Sequence, residues 1–307
     1  MVLVGISLAI LNKQQHRMCC LFNGGRMLAK NLVFQDAYRF FKQKQFKKSF
    51  LKLISISNEF SNDLIFLSLL SEVQFKLNDQ TAWLKTLKTI SVKSHHVQDQ
   101  LKYINALISV GERNQALDLL LDLEAKELPQ SQFVQLQHGL LNIYALENDF
   151  EGLNEVCQKL KGVNYSDAET QYCSSIVEIS RGQYDRALEQ LRNIINQYSN
   201  FDKAWVALAL CHQQMGDSEL AKANLQKALD INAKNSTAIK YLATWSETPS
   251  DVESSLEKIN FYLQEYNFDE DISECHAKLL IKNGRTQHAQ AEMNKLSYYF
   301  GKTAQMV

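Results

Sequence analysis

The amino-acid sequence predicts an all-α protein, in which about eight antiparallel helix pairs stack into a solenoid. The first reason is composition: 2 prolines and 11 glycines among 307 residues are too few for folds that need many turns or glycine-rich loops. The second reason is a pattern with a period of 34 residues, in which a small residue is followed by apolar residues four and seven positions later. A helix pair of this length cannot bury its apolar face alone, so neighbouring pairs must stack and share a core.

In the second half of the chain the pattern keeps one register without an insertion. Its small residues lie 34 positions apart and are Ala187, Ala221, Ser255 and Ala289. This register predicts regular repeats over 167–303, followed by a short tail over 304–307. The helix pairs expected there cover 168–201, 202–235, 236–269 and 270–303.

The first half of the chain carries the pattern more loosely and is predicted to hold divergent repeats over 27–166. The residues that fit the small position there are Ser49, Ala116 and Gly152. In the second repeat either Ala82 or Trp83 could occupy this position. When Trp83 is taken, the expected helix pairs cover 30–63, 64–96, 97–130 and 133–166.

Residues 1–26 fall outside this register. We expect them to form a poorly ordered extension, or to reflect an overlong gene start. The apolar stretch Val2–Leu11 is too short to cross a membrane, and no basic segment precedes it. Neither a membrane span nor a signal peptide is therefore predicted.

Residues 202–235 show how one repeat is built. One face of a first helix is apolar and is formed by Trp205, Leu208, Ala209 and His212. A second helix runs from Ser218 to about Ile231. Its inner face is formed by Leu220, Ala221, Leu225 and Ala228. Between them Gly216 permits a left-handed residue and Asp217 can cap the second helix. The small side chains of Ala209 and Ala221 would let the two backbones approach closely.

On these residues the sequence resembles the tetratricopeptide repeat family. The 202–235 repeat carries the family pattern almost complete, and its signature proline is replaced by Ala233. The match is strong over 168–235, good over 270–303 and only periodic over 30–166. The resemblance implies a right-handed superhelix of antiparallel helix pairs, whose concave groove binds a peptide or a partner protein.

The family positions that face this groove can be carried over to the chain. The tyrosines among them offer rigid amphipathic contact area, and the lysines and amides can hold peptide groups. The resulting candidates for partner binding are Tyr38, Lys42, Lys102, Asn105, Gln137, Tyr144, Tyr172, Lys203, Gln213, Lys240, Tyr241 and Lys278.

The net charge of the chain is only −1, but the charges are unevenly distributed. Residues 1–60 contain ten Lys or Arg and only Asp36 and Glu59, and the highest density lies in the basic segment Lys42–Lys48. This segment is either the solvated face of a capping repeat or a docking patch for an acidic partner. Nucleic acid is not predicted as a partner, because the chain has neither a basic excess nor a recognition module.

No catalytic, cofactor or metal site is predicted. The sequence contains none of the common nucleotide-binding, metalloprotease or serine-hydrolase motifs, and its six cysteines show no CxxC spacing. Neighbours such as Cys211 and His212 point about 100° apart on a helix, so such a pair alone forms no site. Free cysteines in apolar helical patterns favour a reducing compartment, and a cytoplasmic location is predicted.

These patterns together predict a non-enzymatic scaffold or adaptor for a peptide or partner protein. One alternative is a regulatory or sensor subunit, whose ligand changes the curvature of the superhelix. Another is an accessory factor for the assembly of surface structures or polysaccharides. A stable co-purifying protein would favour the adaptor, and a ligand-dependent change in scattering radius would favour the sensor.

Overall fold

The computed structural model describes residues 32–266 and 269–300, so the predicted extension over 1–26 and tail over 304–307 lie outside the described residues. Within the described ranges there are seventeen α-helices and no strand. In chain order they are α1 (Leu32–Lys42), α2 (Phe46–Ser55), α3 (Ser57–Phe60), α4 (Leu64–Lys76), α5 (Gln80–Ser94), α6 (Val97–Val110), α7 (Arg113–Glu124), α8 (Gln130–Glu147), α9 (Phe150–Gly162), α10 (Ala168–Ser180), α11 (Tyr184–Gln197), α12 (Asp202–Gln214), α13 (Ser218–Ile231), α14 (Ser236–Thr244), α15 (Pro249–Glu265), α16 (Glu270–Lys282) and α17 (Thr286–Phe300).

The helices form two compact units, one ending at Glu147 and the other beginning at Asn148. In the first unit α1 packs on α2, α4 on α5 and α6 on α7, while α8 packs against α6 and α7. In the second unit α9 packs on α10, and the pairs α10–α11, α12–α13, α14–α15 and α16–α17 follow. The predicted all-α fold of paired helices is confirmed. The division into divergent repeats over 27–166 and regular repeats over 167–303 rests on the regularity of the sequence and stays a prediction.

The 34-residue register marks buried positions in the second helix of each regular repeat. All four register residues are buried, namely Ala187, Ala221, Ser255 and Ala289. Ala209 on α12 is also buried, and it belongs to the same core cluster as Ala221 on α13. The small residues therefore lie where the paired helices share a core.

The position that the sequence left open in the second repeat is occupied by Trp83 rather than Ala82. The residues four and seven places after Trp83, Leu87 and Ile90, are buried in α5, as the pattern requires. The Trp83 ring packs against Phe75, with ring centroids 5.0 Å apart. An aromatic ring thus takes the place that a small residue takes in the later repeats.

The register position assigned to Gly152 is wrong by one residue. In α9 the buried residues with the required spacing are Leu153, Cys157 and Leu160, whereas Gly152 is partly exposed. The pattern is recognised by a small residue, and Leu153 is large. The neighbouring Gly152 therefore fits the sequence pattern, although Leu153 occupies the buried position.

The turn inside most helix pairs contains one residue with a left-handed backbone. Glycine adopts this conformation without strain, and Gly216, with φ at 84°, follows the sequence prediction. In the earlier repeats lysine or asparagine can take the same role. The left-handed residues at these turns are Lys44, Asn78, Gly111, Gly182, Gly216 and Gly284.

The turn between α14 and α15 is built on a capping box instead. The Thr248 hydroxyl accepts a hydrogen bond from the backbone N–H of Asp251, and the Asp251 carboxylate accepts one from the backbone N–H of Thr248, both at 3.2 Å. Lys222 on α13 also donates to Asp251, at 2.9 Å. The Lys222 ammonium first, and then the backbone N–H of Thr248, lower the pKa of Asp251 to about 2.

Replacing Asp251 with asparagine should lower the free energy of unfolding by on the order of 1 kcal/mol at neutral pH. Because the pKa of Asp251 is lower in the folded chain than in the unfolded chain, its stabilisation is complete above about pH 4 and is lost as the pH falls towards 2. The free energies of unfolding of wild type and Asp251→Asn, measured with urea, should therefore converge as the pH falls from about 4 to about 2. A difference that stays constant over this range would show that the Asp251 charge does not matter.

Candidate partner-binding site

An aromatic pair and a lysine meet on the first helices of adjacent repeats in the second unit. Tyr172 on α10 packs edge-on against Phe201, which precedes α12, with ring centroids 5.7 Å apart. Lys203 Nζ lies 5.8 Å from the centre of the Tyr172 ring and 5.9 Å from that of Phe201. Burial raises the pKa of Tyr172, and smaller contributions come from neighbours that include Glu169 and Tyr241. Tyr172 is thus close to groups from its own repeat and from the next two.

Lys203 is held by an ion pair across a repeat boundary. Its Nζ donates to both carboxylate oxygens of Glu169 on α10, at 2.8 and 3.0 Å. Both side chains are partly exposed, so this pair contributes at most about 1 kcal/mol to stability. Its larger consequence is electrostatic, because the charge of Lys203 is balanced within the chain.

Tyr241 and Gln213 extend the same surface on α14 and α12. The Tyr241 ring stacks on Trp245, with centroids 5.0 Å apart and planes inclined by 24°. Both rings pack against the core cluster of the last repeats. Gln213 is half-buried, and among the described residues its buried side-chain oxygen accepts no hydrogen bond. Packing therefore fixes these side chains and leaves only part of each exposed.

The lysines of α14 and α16 also have carboxylate partners. Lys240 donates to Asp271 at 2.8 Å, and this bond joins the last two repeats. Lys278 pairs with Glu274, one helical turn earlier, at 2.7 Å. We use the name aromatic surface for the six predicted residues of this unit, which are Tyr172, Lys203, Gln213, Lys240, Tyr241 and Lys278.

In the first unit the predicted groove residues are spread over α1, α6 and α8. Lys42 Nζ lies 5.3 Å from the centre of the Tyr38 ring, so these two are in contact. Lys102 forms an ion pair at 2.8 Å with a carboxylate one turn earlier on α6. Asn105 on the same helix is exposed, and Tyr144 on α8 is half-buried. A partner could therefore reach these side chains only at separate points.

The structure contradicts the prediction for Gln137, whose side chain has 0% of its surface exposed. Its Nε2 donates to the Glu124 carboxylate on α7 at 2.6 Å. The physical reason is that this position of α8 faces the preceding helix, where the Glu124 carboxylate accepts the hydrogen bond of the buried amide. Gln137 contributes to packing and not to a surface for a partner.

Comparison with known proteins identifies the repeat type of part of the chain. Residues 178–246 match the family model described as Tetratricopeptide repeat. This segment consists of tetratricopeptide repeats. No curated protein sequence gives a significant match to it.

Two solved structures show how far the fold of the chain is shared. A tetratricopeptide repeat protein from Parabacteroides merdae ATCC 43184 aligns with a TM-score of 0.67 at 14% identity, over 81% of this chain and 97% of that one. The APC/C hetero-tetramer Cut9–Hcn1 aligns with a TM-score of 0.55 at 11% identity, over 82% of this chain and 50% of the matched chain. At these identities the likeness establishes the fold.

Sequence reasoning missed four residues that surround the predicted binding residues of the second unit. These are Glu169, Phe201, Trp245 and Asp271. One signal was available: Glu169 and Lys203 carry opposite charges and lie 34 residues apart, so they occupy the same position in adjacent repeats. Such a pair can be found by comparing the charges of successive repeats position by position.

Three cysteines of the chain, Cys157, Cys173 and Cys211, are free and buried. Burial raises the pKa of the Cys157 and Cys211 thiols to about 11. These thiols therefore stay protonated at neutral pH and act as small apolar side chains.

Across residues 32–266 and 269–300, no helix is long and apolar enough to span a bilayer. In the same part of the chain, no three His, Cys, Asp or Glu side chains come together in a way that could hold a metal ion.

Proposed function

We propose that the chain is a non-enzymatic adaptor that binds an extended segment of another protein along the aromatic surface. The observation that carries the proposal is the contact of Tyr172, Phe201 and Lys203 across the boundary between two successive repeats. Rigid aromatic rings in a packed setting give contact area at a low entropic cost.

The partner is recognised by ring contacts and by polar groups rather than by net charge. Lys203, Lys240 and Lys278 each have a carboxylate partner within the chain, so the surface carries little uncompensated charge. A charged ligand would have to separate these pairs before it could use them. An uncharged segment with apolar or aromatic side chains meets no such cost.

A cytoplasmic location is part of the proposal. The buried free thiols of Cys157, Cys173 and Cys211 support it, because they form part of the core only while they remain reduced. The same three residues occupy apolar helix faces rather than a cluster with acids or histidines.

The test begins with affinity purification of the full chain from its native organism, followed by mass spectrometry. Peptides from the captured partner are then titrated at several salt concentrations. We expect binding to change little with salt, since the surface lysines are already paired. A steep loss of affinity with salt would show that uncompensated charges elsewhere bind the partner.

Replacing Glu169 with glutamine should increase the affinity of the aromatic surface for acidic peptides. The change removes the carboxylate partner of Lys203, so binding of an acidic version of the partner peptide should strengthen by several-fold at low salt. Glu189→Gln is the matched control, because Glu189 is an exposed glutamate on α11 outside this surface. If the two substitutions change the affinity equally, binding depends only on the net charge of the chain.

A further inference from the structure

The exposed lysines of α2 and α5 differ from those of the aromatic surface. Lys47 and Lys48 on α2, and Lys85 and Lys88 on α5, are exposed, and none forms an ion pair with a carboxylate of the described chain. Lys48 Nζ instead lies 5.7 Å from the centre of the Phe40 ring. The charge at this end of the first unit is therefore available to a partner.

The exposed side chains of α2 and α5 lie at equivalent positions of adjacent repeats. Leu51 and Ile54 on α2 lie 34 residues before Lys85 and Lys88 on α5, so aliphatic and cationic side chains occupy equivalent positions in adjacent repeats. The aliphatic side chains are unusually accessible, with 68% of Leu51, 46% of Ile54 and 62% of Val92 exposed. The result is a mixed cationic and aliphatic face.

A depression of about 400 Å³ adjoins this face where α2 begins. It is formed by Lys44, Gln45, Phe46, Lys47, Lys48 and Leu77, and the surface that these residues expose to it is almost entirely apolar.

We propose that the outer face of α2 and α5 docks on the anionic surface of a lipid bilayer. Each lysine held near such a surface strengthens binding about fivefold, and exposed aliphatic side chains enter the boundary between headgroups and acyl chains. The proposal is independent of the aromatic surface. It identifies the acidic partner that was predicted for the basic segment Lys42–Lys48 as an anionic lipid bilayer.

The distribution of side chains on this face favours a bilayer over an acidic protein. Leu51 and Lys85 occupy equivalent positions, as do Ile54 and Lys88, so no continuous apolar strip is present for a partner helix. A bilayer interface accepts such a mixture, because lysine stems can lie among apolar groups while the ammonium reaches the headgroups.

The test is co-sedimentation of the full chain with phosphatidylcholine vesicles, with and without phosphatidylglycerol. We expect binding only to the anionic vesicles and release by salt. Exchanging Lys47, Lys48, Lys85 and Lys88 together for glutamine should weaken binding by about 100-fold or more. Leu51→Ser combined with Val92→Ser should weaken it at every salt concentration, because the aliphatic contribution is not screened.

Lys161→Gln combined with Lys227→Gln is the control, since both lysines are exposed in the second unit and lie outside this face. Circular dichroism checks that every variant remains folded. Anionic vesicles that fail to bind, or that bind the lysine variant as well as wild type, would overturn the proposal. Binding to polyglutamate but not to vesicles would assign the face to an acidic protein instead. None of these results bears on the adaptor function, which is measured with a protein partner and no lipid.

Discussion

Replacing Ala221 with leucine should lower the free energy of unfolding by about 1–3 kcal/mol, because three further side-chain carbon atoms must enter a packed core. Ala221 on α13 is completely buried and shares its core cluster with Ala209 on α12 and Leu225 one turn later. Neither paired helix can move aside without disturbing the neighbouring repeat. The effect should appear in urea unfolding as a lower midpoint with an unchanged slope.

Lys227→Leu is the matched control for this experiment, since it adds the same side chain to the exposed face of α13. It should change the free energy of unfolding by no more than about 0.5 kcal/mol. If the two leucine variants unfold at the same urea concentration, the face assigned to the core of this repeat is wrong.

Truncating Tyr172 and Tyr241 together to alanine should weaken binding of the native partner by about 2 kcal/mol or more, which is about 30-fold. The two rings lie on α10 and α14, in the first helices of two repeats of the second unit. Their loss removes the largest rigid contact area of the aromatic surface. Isothermal titration with a peptide from the captured partner measures the change directly.

Both tyrosines also pack against their repeats, so the binding experiment needs a check on folding. Thermal unfolding of the double variant shows how much of the chain is folded at the titration temperature. Tyr198→Ala supplies a control with the same chemical change, because Tyr198 follows α11 and is exposed. Equal affinities of the double variant and the Tyr198 variant would place the partner elsewhere, with the first repeat as the next surface to test.

The fold could be predicted from sequence where small residues recur at a fixed spacing. Ala187, Ala221 and Ala289 are buried at the predicted places, because close packing of two helices leaves room for little else. The same rule failed at Leu153, where a large residue occupies the position. It also gave no sign of the short helix α3, which lies between two repeats and has no part in the register.

The site was less predictable, because the direction of a side chain depends on contacts with other helices. Gln137 faces inward owing to Glu124 on the preceding helix, a partner 13 residues away that no repeat pattern indicates. Lys203 and Lys240 lie on the predicted helices, but their carboxylate partners change what these lysines can bind. The sequence identified the positions of these lysines, and only the three-dimensional contacts showed that their charges are paired with carboxylates.

The ion pair of Glu169 and Lys203 has a consequence for how such a chain can change its length during evolution. Both residues occupy the second position of their repeats, 34 residues apart. Deleting 202–235 by unequal recombination would bring Thr237 to the place of Lys203 and leave Glu169 without its cation. Duplicating the same segment would place a second lysine opposite Lys203. The repeats therefore share one backbone design but are not interchangeable in charge, and the gain or loss of one repeat would remove an ion pair worth at most about 1 kcal/mol.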